Sequence, residues 1–134
     1  MPTSFDPDRI SKSVRREVMA AVVKATELVR NEAVRLVLAT PKTGRMYGGR
    51  RRPHQASAPG EPWASSTGHA LSTIRTVYNE SEMSGMVGIT ADYGGFLELG
   101  TQKMEPRPVL RPALENTWPQ VDKIIADAVS RALK

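Results

Sequence analysis

The sequence predicts an α+β fold: a long N-terminal helix packed on a small antiparallel sheet, with a short helix and a C-terminal helix. Three observations carry this reading. Apolar residues recur at steps of three and four from Ile10 to Leu36. Two runs rich in strand formers flank a polar turn near the middle of the chain. A second helical stripe of apolar residues closes the sequence.

The first helix is predicted from Asp6, a good N-cap, with Pro7 at the first helical position where proline is tolerated. Its stripe is Ile10, Val14, Val18, Val22, Ala25, Val29, Ala33 and Leu36. Pro41 ends it near Thr40, because the residue before proline avoids helical geometry. Some 33 helical residues span roughly 50 Å. A compact chain of this size has a radius of gyration of about 14 Å, so the helix outruns its own globule. A neighbouring copy is the simplest cover for the overhang, and a kinked helix that folds back is the alternative.

Residues 43–67 read as a long loop, with four prolines and glycines between 44 and 53 and three more from Pro59 to Pro62. A loop this long in a compact domain is functional or disordered. Residues 71–78 then supply Thr73, Ile74, Thr76, Val77 and Tyr78 for one strand. Residues 79–84 form the turn, and 85–90 the second strand, with Val87 and Ile89 on one face. Two strands alone are marginal, so the long helix must cover one face and neighbouring copies can add at the edges. Residues 92–99 read as a short helix capped by Asp92 and stopped by Gly100, with Phe96, Leu97 and Leu99 facing the core. A proline-rich bend follows over 102–108. Residues 110–116 read as another short helix. The last helix is predicted to start at Thr117, with Gln120 at capping-box spacing and Trp118, Val121, Ile124, Ile125, Ala128 and Leu133 on its apolar face.

The 134 residues fit one domain and can bury a core without staples. With no cysteine, disulfides, thiolate nucleophiles and cysteine zinc sites are excluded, and His54 and His69 alone make a multi-histidine site unexpected. Residues 1–5 lack a signal-peptide pattern, and no apolar run approaches membrane length. A cytoplasmic product without a membrane anchor is expected. The net charge is +5, and residues 41–68 hold most of it as Lys42, Arg45, Arg50, Arg51 and Arg52 against Glu61. This basic loop on a near-neutral body has three readings: it lines a DNA channel through phosphate contacts, it docks on an acidic protein surface, or it is simply solvated. Tyr47 is the one aromatic beside it, too few for a single-strand stacking groove.

No nucleophile elbow or phosphate-binding glycine loop is present, and Glu80, Glu82 and His69 read as solvated or ordinary half-buried groups. The expectation is a protein that is not an enzyme and needs no cofactor or metal.

The segment Tyr93-Gly94-Gly95-Phe96-Leu97-Glu98-Leu99-Gly100-Thr101 leads through Met104-Glu105-Pro106 into Arg107-Pro108-Val109-Leu110-Arg111-Pro112-Ala113-Leu114. Upstream, Ala58-Pro59-Gly60-Glu61-Pro62 precedes Thr67-Gly68 and Leu71. Together these resemble the tail-completion or head–tail joining (neck) family of long-tailed double-stranded DNA phages. In that family Glu-aromatic-Gly-Thr leads through a Met-containing loop to Arg-Pro-Phe-Leu-Arg-Pro-Ala, and a Pro-Gly-x-Pro loop precedes Thr-Gly-x-Leu. Leu99 stands where an aromatic is usual, Val109 replaces Phe, and Gly94 and Gly95 replace bulkier residues. The resemblance implies a structural virion protein at the head–tail junction, present in the host cytoplasm before assembly. It implies a homo-oligomeric ring, hexameric by preference, around the DNA channel and between head-closure or adaptor and tail-tube proteins.

Physical reasoning on the same segment agrees with a structural role. Pro106, Pro108 and Pro112 stiffen the bend. Leu97, Leu99, Val109, Leu110 and Leu114 are expected to pin it to the core. Glu98, Gln102, Lys103, Glu105, Arg107 and Arg111 are the candidate inter-subunit residues, with Glu98 a candidate partner for Arg107 or Arg111. Lys42, Arg45, Arg50, Arg51 and Arg52 are the candidate DNA- or partner-contacting residues. A small DNA-binding accessory protein is the alternative. It would show sequence preference and a helix in the major groove, for which no helix-turn-helix pattern is visible.

Overall fold

The computed structural model describes residues 7–40, 42–44, 46–47, 54–55, 57–62, 73–90, 94–102 and 105–133. Its elements are α1 (Pro7–Ala39), β1 (Met46–Tyr47), β2 (His54–Gln55), β3 (Ile74–Asn79), β4 (Ser84–Ile89), α2 (Gly94–Leu99) and α3 (Leu110–Ala132). The architecture is α+β, with the long helix unbroken over 33 residues.

α1 and α3 form an antiparallel pair. Ala33, Leu36 and Val37 near the end of α1 share a core with Val109 and Ala113 at the start of α3. At the other end, Glu17, Ala20 and Lys24 share a recess with Ile124, Asp127 and Arg131. Small residues at the contact, Ala21, Ala25, Ala33, Ala113 and Ala128, are all buried and let the helices approach. At 1.5 Å per residue α1 exceeds α3 by about 15 Å. Because the helices align at residues 33–37 and 109–113, the surplus falls at the N-terminus of α1.

The β3–β4 hairpin lies along α1, paired from Ile74↔Ile89 to Asn79↔Ser84. Its inner face carries Ile74, Thr76 and Tyr78 with Val87 and Ile89, and Ile74 is the most buried of these. Polar contacts set its direction. Arg30 Nε donates to Ile74 O at 3.2 Å, and Tyr78 OH donates to Glu27 Oε1 at 2.6 Å. At the turn, Arg15 donates to Ser81 O at 3.1 Å. Burial and the Glu27 carboxylate push the Tyr78 phenol above its ordinary value. On the β4 side Gly85 lies so close to α1 that a Cβ there would overlap the Thr26 side chain. The turn closes through Asn79 Oδ1, which accepts from Ser81 Oγ and Glu82 N, and Met83 takes a left-handed φ of 53°.

Four expectations are corrected. First, α3 runs without a break from Leu110 to Ala132, through Pro119. Thr117 is not a cap: it is buried, and its hydroxyl donates to Ala113 O at 2.8 Å inside the helix. The stripe Ala113, Thr117, Val121, Ile124 and Ala128 is continuous across Pro119, and burial against α1 overrides the local signals. Second, the stretch read as an irregular loop contains a small ladder, Met46↔Gln55 and Tyr47↔His54. Third, Leu99 is 82% exposed and Leu114 43% exposed, so neither anchors the bend to the core. Val109 does, at 0%. Fourth, Trp118 is 56% exposed and Leu133 70% exposed, outside the core assigned to them. The short helix begins at Gly94 and stops at Gly100, whose φ of 76° suits glycine. Asp92, its expected cap, and residues 71–72 lie outside the described residues.

Candidate interaction surfaces

The proline-rich bend is held from two sides. Glu98, at the end of α2, aims its carboxylate at the start of α3. Oε1 accepts from Val109 N at 2.7 Å and Leu110 N at 2.9 Å. Val109 occupies the N-cap position but has no side-chain oxygen to cap with. Glu98 therefore satisfies two of the first free N–H groups and places negative charge at the positive helix end. This corrects the expected pairing of Glu98 with an arginine. Arg111 instead pairs with Glu115 at 3.0 Å, an exposed contact worth little.

Arg107 is half-buried and donates from Nε to Ser57 O at 3.1 Å, while Pro106 O accepts from Gly60 N at 3.0 Å. The bend is thereby tied to residues 57–61. One guanidinium nitrogen of Arg107, a candidate inter-subunit residue, is thus used within the chain. Gln102 and Glu105 are exposed as expected, and Lys103 lies outside the described residues.

Glu61 forms the next link. Its carboxylate accepts from Thr43 Oγ1, from Thr43 N at 3.1 Å and from Ala58 N at 2.8 Å. These bonds, the Thr43 hydroxyl first, hold the Glu61 pKa below the usual carboxylate value. The single acid of the basic segment thus joins its two ends, 42–44 and 57–62. Between them the β1–β2 ladder makes an arm, and residues 48–53 connect its strands. Arg50, Arg51 and Arg52 belong to that connection and, with Arg45, lie outside the described residues. Lys42 is at the clamp rather than on display. Its ammonium nitrogen is shielded from water with no hydrogen-bond partner among the described residues. Burial lowers its pKa, opposed by the nearby Glu61 carboxylate. Lys42, a candidate DNA- or partner-contacting residue, thus sits beside the Glu61 clamp.

A third feature escaped the sequence reading. The outer face of the hairpin carries Val77 and Met86, cross-strand partners that are 65% and 69% exposed. Met86 also borders an open apolar groove of about 540 Å³ between β4 and α3. Val22, Ala25 and Val29 of α1 form its floor, and Leu114 and Trp118 its far wall. One apolar band thus crosses the hairpin, the groove and α3. The sequence reading placed Leu114 as an anchor of the bend and Trp118 on the apolar face of the last helix, but it could not show that the hairpin is only wide enough to cover α1.

Among the described residues no cluster of His, Asp or Glu could hold a metal ion, and no helix is long and apolar enough to cross a membrane. Comparison with protein-family models, with curated proteins and with solved structures finds no match.

Proposed function

We propose that this protein is a structural subunit of the head–tail junction of a long-tailed double-stranded DNA phage, assembling as a homo-oligomeric ring around the DNA channel. The observation that carries a subunit role is the uncovered apolar surface of the single chain: Val77, Met86, Leu114 and Trp118 are all exposed. Large exposed apolar surface marks interaction sites. The N-terminal surplus of α1, which extends past α3, supports the same reading.

The neck assignment rests on the motif resemblance, and the geometry makes physical sense of the motif. Its Glu and its Arg-Pro-Val-Leu-Arg-Pro-Ala run are distant in sequence but joined by the Glu98 bonds to Val109 and Leu110. A rigid bend lowers the entropy lost on docking. In this reading the virion is the site of action, head-closure or adaptor and tail-tube proteins are the neighbours, and the arm bearing Arg50, Arg51 and Arg52 faces DNA or an acidic neighbour. No catalytic step is assigned. Native mass spectrometry over a concentration series tests the reading: a closed oligomer is expected. A monomer at every concentration that binds one DNA sequence in preference to others would favour a small DNA-binding accessory protein instead.

A further inference from the structure

We propose that the groove beside β4 receives an extended segment of a different protein, which adds to β4 as a third strand. Ladder parity supplies the argument. Thr90 N donates to Thr73 O at 3.0 Å, so Thr73 and Thr90 face each other with their polar groups. In an antiparallel pair this alternates, so Arg75↔Gly88, Val77↔Met86 and Asn79↔Ser84 also bond inward. Gly85, Val87 and Ile89 therefore turn their N–H and C=O groups away from β3. Ile74 has the matching outward parity on β3, and its carbonyl is indeed taken from outside by Arg30.

The outward edge of β4 borders the groove. Residues 83–87 all line it consecutively, as an edge does and a strand face does not. Among the described residues β3 is the sole strand paired with β4. The site thus offers backbone donors and acceptors at every second residue beside an apolar floor. That pattern fits a strand with apolar side chains at alternate positions. A helix, whose own backbone groups are satisfied internally, cannot use the edge.

A second copy is disfavoured as the donor. The outer edge of β3 is obstructed at Ile74, whose carbonyl Arg30 already occupies. Pairing β4 with β4 antiparallel requires a two-fold axis perpendicular to the sheet. The copy's α1 would then lie on the same side as this chain's α3, in the space α3 fills. The inference stands whether or not the neck assignment holds.

The test is an amide-resolved NMR titration of the whole chain with an acetylated, amidated peptide Lys-Val-Thr-Leu-Thr-Val-Lys. Two analogues are compared, each N-methylated at alternate residues in opposite phase. Saturable shifts at the Gly85, Val87 and Ile89 amides are expected, with affinity lowered about tenfold or more in one analogue and kept in the other. Val87→Pro should keep the β3–β4 ladder, since that N–H points outward, and lose the peptide. Trp118→Lys on the facing wall serves if Val87→Pro does not fold. Equal binding of both analogues would reveal a merely apolar groove and overturn the proposal. So would the absence of saturable shifts, or amides already protected in the free protein that become exposed on dilution, the mark of a second copy.

Discussion

Glu98 Oε1 accepts the backbone N–H of Val109 at 2.7 Å, so the last turn of α2 closes the first turn of α3 across the proline-rich bend. Glu98→Ala removes this bond and the one to Leu110 and should destabilise the fold by about 1–2 kcal/mol. Glu98→Gln, which keeps an acceptor but not the charge, should lose less. Urea unfolding with an unchanged m-value checks both.

Gly85 and Thr26 form a second tight relationship. Gly85→Ala places a methyl group against the Thr26 side chain and should cost about 1–3 kcal/mol. Thr26→Ala removes the hydroxyl in question, so the double variant should recover part of the loss. A thermal double-mutant cycle measures the coupling, and strict additivity would place the strain elsewhere.

The acid response should report the Glu61 clamp. Its carboxylate pKa is lowered in the fold from an ordinary 4.5. The stability it contributes is therefore fully present above that value and lost as pH falls through the lower, folded value. Glu61→Gln should flatten this part of the stability–pH curve, and ¹³C titration of the carboxyl should show the lowered midpoint.

Arg107→Ala should destabilise the isolated chain by about 1 kcal/mol, because the bond to Ser57 O ties the bend to the arm. Replacing Arg50, Arg51 and Arg52 together with Ser should leave unfolding nearly unchanged. If the arm faces DNA, the triple variant should also lose sequence-blind affinity and show a shallower salt dependence.

Elements whose period is local were readable from the sequence. The α1 stripe from Val14 to Leu36, the β3 and β4 strand formers and the Gly100 stop each carry their signal within a few residues. The unbroken α3 was not readable, because the capping-box spacing of Thr117 and Gln120 is local, whereas the stripe that overrides it acts through α1. The Glu98 cap joins residues 11 and 12 apart across a proline-rich bend, and the Arg107 bond to Ser57 spans 50, so neither contact follows from a local period. The groove was hidden for a related reason: Leu114 and Trp118 have core periodicity, and their exposure follows from a two-stranded sheet that covers one helix of the pair.

The most direct test of the neck assignment is a reconstruction of tailed-phage particles assembled with and without this protein. The account predicts a ring of its density at the head–tail junction, and unjoined heads and tails when it is missing. Complete, infectious particles in its absence would contradict it.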